Sequence, residues 1–241
     1  MIKKILILLK IARKLAVSDA LKVISKTHEP PNLIKLLFNI LSVSLRSKNN
    51  QIQNLTDEEK LCRSIEDMGP TFIKLGQFLA TRPDIIGDSL SKQLEKLQDR
   101  LPPFNIFEAK EIIKKNLGNE QFNSIINFGE PVAAASVAQV HKAQINDEGT
   151  IKDIAIKILR PNIKNIFNEE IDALMLLAFI IEGTLKKTKR LKLVEVVFLL
   201  KEITNLETDL RFEAAAANEF LENTKNDFGF VVPKIFWNYT N

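Results

Sequence analysis

Two strand-like segments joined by a turn sequence constrain the fold of this chain more than any other feature. Residues 136–144 mix small and β-branched residues with polar ones, and residues 151–159 nearly alternate apolar with polar. Residues 146–149 between them supply turn-forming side chains and a glycine that adopts positive φ at little cost. The pattern predicts an antiparallel hairpin. Because side chains alternate along a strand, one face of it should carry Ile154, Ile156 and Ile158.

Lys157 lies on the other face of the same predicted strand, away from the three isoleucines. A lysine on a strand that follows a small-residue loop resembles the phosphate-pairing lysine of the protein-kinase N-lobe, which needs a carboxylate partner on a helix. Glu213, inside a long helical pattern, offers that carboxylate. The sequence therefore predicts an ion pair between Lys157 and Glu213. The alternative is an ordinary lysine at a strand edge.

The loop before the hairpin consists of Ala133, Ala134, Ala135 and Ser136, where a protein kinase carries a glycine-rich loop. Alanine adopts positive φ only at a cost, and its methyl group limits how closely the backbone approaches a phosphate. We therefore expect a pocket that is stiffer than that of a protein kinase and selects its nucleotide differently.

Four segments follow one another along the chain: FIKLGQFLATRPDII, PVAAASVAQVH, AIKILRP and LETDLRFEAAAANEF. Together they resemble the UbiB family of atypical protein-kinase-like proteins, which is linked to ubiquinone biosynthesis, over roughly residues 50–241. The resemblance implies an α+β fold, with a helical N-terminal extension and a kinase-like N-lobe of one small antiparallel sheet and a long αC-type helix, truncated before the C-lobe. It also implies that ATP or ADP with Mg²⁺ is bound, through Ala133 to Ser136, Lys157 and Glu213.

The resemblance further assigns regulatory roles to two short motifs. In the family a Lys-x-Gly-Gln segment, here Lys74, Gly76 and Gln77, belongs to a helical extension that folds over the nucleotide cleft and occupies the space of a protein substrate. Its expected partner is a Glu-x-Asp pair, here Glu207 and Asp209, which should point to different sides of one helix. For both motifs the alternative is a set of solvated side chains on a helix surface.

Breaks in the hydrophobic pattern divide the chain into three predicted segments. They are basic amphipathic helices at 1–49, the helical extension at 50–128, and a partial N-lobe with a helical insertion at 129–241. In the first helix an apolar side lies among basic residues, which fits either packing on its own domain or contact with a membrane surface. That apolar side consists of Ile2, Ile5, Leu9 and Ala12.

Spacing and capping residues predict the remaining elements. Thr56 and Glu59 have the spacing of a capping box that begins a helix. Apolar periodicity predicts helices over residues 32–45, 90–101, 107–117, 163–185 and 193–225. The segment 230–241 resembles the fourth strand of the N-lobe.

Composition excludes several classes of protein. The net charge of +4 comes from 34 basic and 30 acidic residues that are interspersed, which leaves no footprint for nucleic-acid binding. A single cysteine, Cys62, excludes an internal disulfide and suits a reducing compartment. His28 and His141 lack the close spacing of a zinc-ligand pair. We expect a cytoplasmic protein, with the inner face of the membrane as the place of any peripheral contact.

A complete catalytic set cannot be located in the sequence. A kinase needs a catalytic-loop Asp and Asn and a metal-binding Asp. The triplet Asp227-Phe228-Gly229 spells the metal motif, but no catalytic loop precedes it, so we interpret it as a chance match. The metal ligands are therefore expected to be absent from this chain, which alone should not catalyse phosphoryl transfer.

Three hypotheses about function remain. In the first, the chain is part of an atypical kinase or ATPase that supports ubiquinone biosynthesis, with quinone-pathway proteins as partners and a second chain supplying the C-lobe. In the second, it is a non-catalytic binding or scaffold remnant. The third, a 2-polyprenylphenol hydroxylase, is disfavoured because the sequence has no Rossmann glycine fingerprint, flavin motif or iron-ligand triad.

Overall fold

The computed structural model describes residues 2–17, 55–97, 101–184 and 186–241. These group into two units, one within Met1–Asp99 and Asn165–Glu202, the other within Arg100–Lys164 and Ile203–Asn241. His28, the predicted helix over 32–45 and the predicted boundary at residue 49 lie outside the described residues. The division into three segments stays a prediction.

The described elements are helices and one small antiparallel sheet, which confirms the predicted α+β class. The helices before the sheet are α1 (Ile2–Val17), α2 (Asp57–Met68), α3 (Pro70–Ala80), α4 (Pro83–Ile86), α5 (Asp88–Leu94), α6 (Ile106–Leu117) and α7 (Asn119–Ser124). The strands are β1 (Ile125–Ile126), β2 (Pro131–Ala134), β3 (Ala138–Asp147) and β4 (Thr150–Leu159). They are followed by α8 (Ile163–Thr184), α9 (Leu193–Glu207) and α10 (Leu210–Asn223), with 3₁₀ turns at Lys186–Leu191 and Trp237–Tyr239. No described helix is long and apolar enough to cross a membrane.

The start of α2 has the predicted capping box. The Glu59 N–H donates to Thr56 Oγ1 at 3.2 Å, and the Thr56 N–H donates to Glu59 Oε2 at 2.8 Å. Two of the N–H groups that a helix start leaves without an intrahelical partner are thereby satisfied. The α2 helix then ends at Gly69, whose φ is 108°.

The predicted helix over 90–101 is wrong in its extent, because α5 ends at Leu94. The Leu97 N–H donates to Leu94 O at 3.0 Å, a tighter turn that closes the helix. The leucine spacing reflects burial rather than helix length, since Leu94 and Leu97 both lie in a core cluster with Cys62 and Ala80.

Gly76 in α3 is buried against this cluster, so a larger side chain at this position tests how closely the first unit is packed. A Cβ on Gly76 would lie 2.3 Å from Leu97 Cδ1 and 3.2 Å from Ile65 Cγ2. We expect Gly76→Ala to lower the free energy of unfolding of this unit by about 1–2 kcal/mol in urea denaturation followed by circular dichroism. Gly183→Ala in α8, where a Cβ meets nothing within 4 Å, is the matched control and should be neutral or stabilising. Equal losses in both variants would contradict this account.

The sheet of the second unit contains the predicted hairpin. The β3–β4 pairing runs from Ala138 opposite Leu159 to Asp147 opposite Thr150, so the strands are longer than predicted. The turn is reduced to Glu148 and Gly149, whose φ values of 52° and 84° are those that a two-residue hairpin turn requires. In the sheet β3 also pairs with β1 and β2, which makes it the central strand.

The two faces of the sheet differ as predicted. Ile156 and Ile158 of β4 face α6, where they pack with Ala109 and Ile113 in the core of the second unit. We call this the inner face. Lys157 lies on the outer face and is exposed. The apolar residues of the hairpin are therefore used to hold α6, and the outer face is left for other contacts.

The predicted single helix over 193–225 is wrong, because the helix is interrupted at Thr208 and Asp209, between α9 and α10. Thr208 Oγ1 donates back to Thr204 O at 2.8 Å, and Asp209 caps the next helix through the Arg211 N–H at 3.1 Å. Side chains of this type compete with helix propagation. The apolar periodicity continues on both sides of this interruption, so the sequence pattern does not reveal it.

The predicted fourth strand in 230–241 is also wrong. Within this segment the structure has only the 3₁₀ turn Trp237–Tyr239. Val231 is 96% exposed, and no described strand pairs with the segment, so its backbone lacks the ladder that makes a strand. The segment is anchored instead by the Tyr239 hydroxyl, which lies 2.7 Å from Ser124 Oγ.

Candidate functional site

Lys157 and Glu213 form the ion pair that the sequence predicts. Lys157 Nζ donates to Glu213 Oε1 at 2.8 Å and to Oε2 at 2.5 Å. Lys157 comes from the outer face of β4, and Glu213 comes from the first turn of α10. The side chains remain 41% and 60% exposed. Exposed pairs of this kind contribute little to stability, so the fold does not depend on this one.

Strand register places Lys157 in one row with residues of two neighbouring strands. Lys157 lies opposite Val140 of β3, and Val140 lies opposite Ala133 of β2. Directly paired residues of antiparallel strands point to the same face of a sheet. Ala133 and Lys157 therefore share the outer face, and with strands about 4.8 Å apart their backbones are separated by roughly 10 Å.

The alanine loop, Ala133 to Ser136, begins in β2 and turns into β3. The Ala135 N–H donates to Ala138 O at 2.8 Å, which closes the turn. Ala133 is exposed, whereas Ser136 is fully buried. The accessible part of the loop is therefore its β2 side, in the same row as Lys157.

Arg160 was not predicted as a site residue, yet it contacts this loop directly. Its Nε donates to Ala135 O at 2.8 Å, and its Nη1 and Nη2 donate to Pro102 O at 3.0 Å and Leu101 O at 3.3 Å. The feature of the sequence that could have indicated this role is the position of Arg160 at the end of the strand that carries Lys157, directly before Pro161.

A buried polar network on the inner face was also missed. The Gln139 amide accepts from the Phe104 N–H at 2.9 Å and donates to Phe104 O at 3.2 Å. It also donates to His141 Nε2 at 2.8 Å, while His141 Nδ1 donates to Gly129 O at 2.8 Å. Both side chains are fully buried. The signal was the placement of a glutamine and a histidine at inward positions of an alternating strand, where a buried polar side chain needs partners.

Glu207 and Asp209 do not share one helix as predicted, since Glu207 is the last residue of α9 and Asp209 is the N-cap of α10. Asp209 Oδ1 accepts from Arg211 Nε at 2.8 Å, and Oδ2 accepts from Arg211 Nη2 at 2.6 Å. The hydrogen bond to the Arg211 side chain lowers the pKa of Asp209 to about 2. Its carboxylate is therefore ionised and held by its neighbour.

This low pKa predicts how the start of α10 depends on pH. A carboxyl group whose pKa is lower when folded stabilises the fold above its ordinary pKa of 3.8, and it loses that contribution as the pH falls towards about 2. We expect Asp209→Ala to lower the melting temperature by an amount that is nearly constant from neutral pH to about 4 and shrinks as the pH falls through about 2, where the carboxyl becomes protonated. Asp227→Ala, beyond the end of α10, is the control for removing an exposed carboxylate that is not the N-cap of a helix. A difference that is as large at pH 2 as at neutral pH would contradict the assignment.

The Lys-x-Gly-Gln residues lie on α3 in the first unit, whereas Glu207 and Asp209 belong to the second. Gln77 Nε2 lies 3.5 Å from Leu97 O, at the limit of a hydrogen bond, and Gly76 is buried in the packing described above. Lys74 is partly exposed. An encounter between the two motifs stays a prediction.

The Asp227-Phe228-Gly229 triplet follows the end of α10 and is exposed. Gly229 has a φ of 96°, which is typical of a turn. Within the described residues no group of three or more His, Cys, Asp or Glu side chains is arranged to hold a metal ion.

One family model and several bacterial proteins resemble the chain. Residues 96–241 match the model described as ABC1 atypical kinase-like domain. A protein of Marinobacter nauticus named "Probable protein kinase UbiB" is 36% identical over 187 residues, which is 77% of this chain and 34% of that protein. Proteins with the same name from Cellvibrio japonicus and Azotobacter vinelandii are 36% identical over 187 and 181 residues, in each case 33% of that protein. The match thus spans about a third of the length of these curated relatives.

Proposed function

The chain belongs to the UbiB family of ABC1 atypical kinase-like proteins, and from that membership we propose that the outer face of its sheet binds the phosphates of ATP or ADP. The observation that carries the proposal is the exposed Lys157–Glu213 pair, in register with the alanine loop. Lysine binds phosphate as a point charge, and a carboxylate behind it fixes where the charge lies.

The residues of the site are better suited to bind the phosphates of a nucleotide than to coordinate a metal ion. Lys157 would bind phosphate oxygens, Glu213 would hold Lys157, and the Ala133 side of the loop would cover the phosphates. MgATP would supply the transferable phosphoryl group. On this proposal a further stretch of polypeptide holds the metal ion.

The same stretch would supply the catalytic Asp and Asn, and a second chain could carry it. On this proposal the chain alone is not catalytically competent, and the completed protein acts as an atypical kinase or ATPase in ubiquinone biosynthesis. A regulatory role for Lys74, Gly76 and Gln77, and for Glu207 and Asp209, is part of the proposal. The name of the relatives, a probable protein kinase, supports the class of chemistry.

Peripheral contact with a membrane is part of the proposal and is supported by α1. Ile2, Ile5 and Leu9 are exposed, and the basic side chains of Lys10 and Arg13 are also on the exposed surface of the helix. Ile11 is buried, so α1 packs through another side. Apolar residues flanked by lysine and arginine suit a surface of anionic lipids.

A non-catalytic binding role is the second candidate, and it is supported by exposed aromatic side chains near the end of the chain. Phe220 and Phe230 pack edge to face at 5.7 Å between ring centroids, and both remain about half exposed. Phe212 in α10 is also exposed. Exposed apolar side chains grouped in this way are typical of a binding surface for another protein.

Nucleotide binding separates the two candidates. We expect isothermal titration of the full chain with MgADP or MgATP to show binding that Lys157→Met weakens at least tenfold, since a charge-assisted contact is lost. Lys152→Met is the matched control, because Lys152 lies on the same strand, faces the other side and pairs with Asp147. Equal effects of the two substitutions, or no binding by the wild type, would count against the proposal.

A second experiment, an assay of ATP hydrolysis, tests whether a further polypeptide is needed. The chain is mixed with a polypeptide that carries the Asp and Asn motifs, and ATP hydrolysis is measured with and without Mg²⁺. We expect hydrolysis only in the mixture, and its loss in Lys157→Met. Hydrolysis by the chain alone would contradict the proposed division of labour.

A further inference from the structure

We propose that Arg160 is a positioning residue that holds the alanine loop in the shape in which it meets a nucleotide, an inference that rests on the function proposed above. Arg160 directly follows β4 and continues its ladder, because its N–H donates to Val137 O at 2.8 Å. Its backbone is therefore fixed next to the loop before its side chain makes any contact.

The side chain joins two segments that are far apart in sequence. On one side Nε donates to Ala135 O at 2.8 Å. On the other, Nη1 and Nη2 donate to the carbonyls of Pro102 and Leu101 at 3.0 and 3.3 Å. We call residues 101–104 the strap. One guanidinium group thus links the alanine loop to the strap through main-chain oxygens, whose positions do not depend on side-chain identity.

The geometry requires arginine. Its guanidinium is planar and presents several donors in a fixed fork, whereas lysine has one compact charge on a flexible stem. Here three different nitrogens are used on three carbonyls. The ring of Phe104, also in the strap, lies 6.0 Å from the guanidinium carbon and further restricts the side chain. The strap itself is fixed by Gln139, which binds both polar backbone groups of Phe104.

Both polar backbone groups of Ala135 are engaged in this arrangement. Its N–H donates to Ala138 O and its carbonyl accepts from Arg160. A glycine loop could change its φ angles freely when phosphate arrives, but an alanine loop does so only at a cost. Affinity then depends on the loop being in the right shape beforehand, as expected for preorganised sites. Arg160 fixes that shape through the Ala135 carbonyl, without touching the nucleotide.

The test is Arg160→Lys in the full chain, with two measurements. Hydrogen exchange at the Ala135 amide, without nucleotide, should be about tenfold faster than in the wild type, because loss of the charged hydrogen bonds loosens the loop. The Kd for MgADP, measured at a temperature where both proteins are folded, should rise about tenfold. Arg82→Lys is the matched control, because Arg82 makes a two-pronged contact with Asp84 in the first unit. It should change neither quantity.

Each outcome decides the proposal. Unchanged exchange at Ala135 would overturn it, and so would a lowered melting temperature with an unchanged Kd, which is the result expected of a merely structural arginine. If the wild type binds no nucleotide, the proposed function fails, while the exchange measurement still decides whether Arg160 positions the loop. If Arg160→Lys does not fold, Phe104→Leu loosens the guanidinium indirectly and should raise both quantities by a smaller factor; no change in either would overturn the proposal.

Discussion

Replacing Ile158 with alanine is expected to lower the free energy of unfolding of the second unit by about 3 kcal/mol. Ile158 is 4% exposed and packs with Ala109 and Ile113 of α6 between the sheet and the helix. The substitution removes three buried carbon atoms and leaves a cavity that a strand and a helix cannot easily close. Urea denaturation followed by the fluorescence of Trp237, the only tryptophan of the chain, measures this unit directly.

Ile151→Ala is the matched control for this prediction. Ile151 lies on the same strand but is 53% exposed, near the hairpin turn. We expect it to cost no more than about 0.5 kcal/mol, as surface substitutions usually do. Similar losses for Ile158 and Ile151 would show that the inner face of the sheet is not packed as described.

Replacing Gln139 with alanine is expected to cost about 2–4 kcal/mol, because it leaves several buried polar groups without partners at once. The Phe104 N–H and C=O both lose the amide that binds them, and His141 Nε2 loses its donor. The inner face gives water no ready access, since Gln139 and His141 are fully buried. The penalty should therefore exceed that of removing an exposed hydrogen bond.

Gln144→Ala is the control, with the same residue type on the same strand. Gln144 faces outwards and donates to Asp153 at 2.7 Å in an exposed position. We expect a change within about 0.5 kcal/mol, measured by the same urea denaturation. A Gln139→Ala variant as stable as Gln144→Ala would mean that the Phe104 strap is not held by this amide.

The hairpin and its two faces were predictable because they depend on local rules. Alternation of side chains decides which residues point together, and a turn sequence with glycine decides where the strands reverse. Ile156 and Ile158 on one side and Lys157 on the other follow from these rules alone. The Lys157–Glu213 contact needed more, since only the family resemblance brings the helix of Glu213 to the outer face.

Other features depend on tertiary contacts that no sequence pattern contains. The break at Thr208 and Asp209 interrupts an apolar pattern that continues on both sides, and it is decided by two short side chains that bind the backbone. Residues 230–241 have the composition of a strand, but a strand forms only where a neighbour offers a ladder. Arg160 and Gln139 bind main-chain groups. Because nearly every residue carries such groups, the sequence does not identify the partners.

The central claim, that Lys157 lies at a nucleotide phosphate, is tested most directly by chemical labelling. A nucleotide acyl phosphate transfers its acyl group to a lysine amine near the bound phosphate, forming an amide and releasing the nucleotide, and peptide mass spectrometry identifies the lysine. We predict selective labelling of Lys157, suppressed by excess MgADP and absent in Lys157→Met. Labelling of Lys152 to the same extent as Lys157, or labelling of Lys157 that MgADP does not suppress, would contradict the assignment.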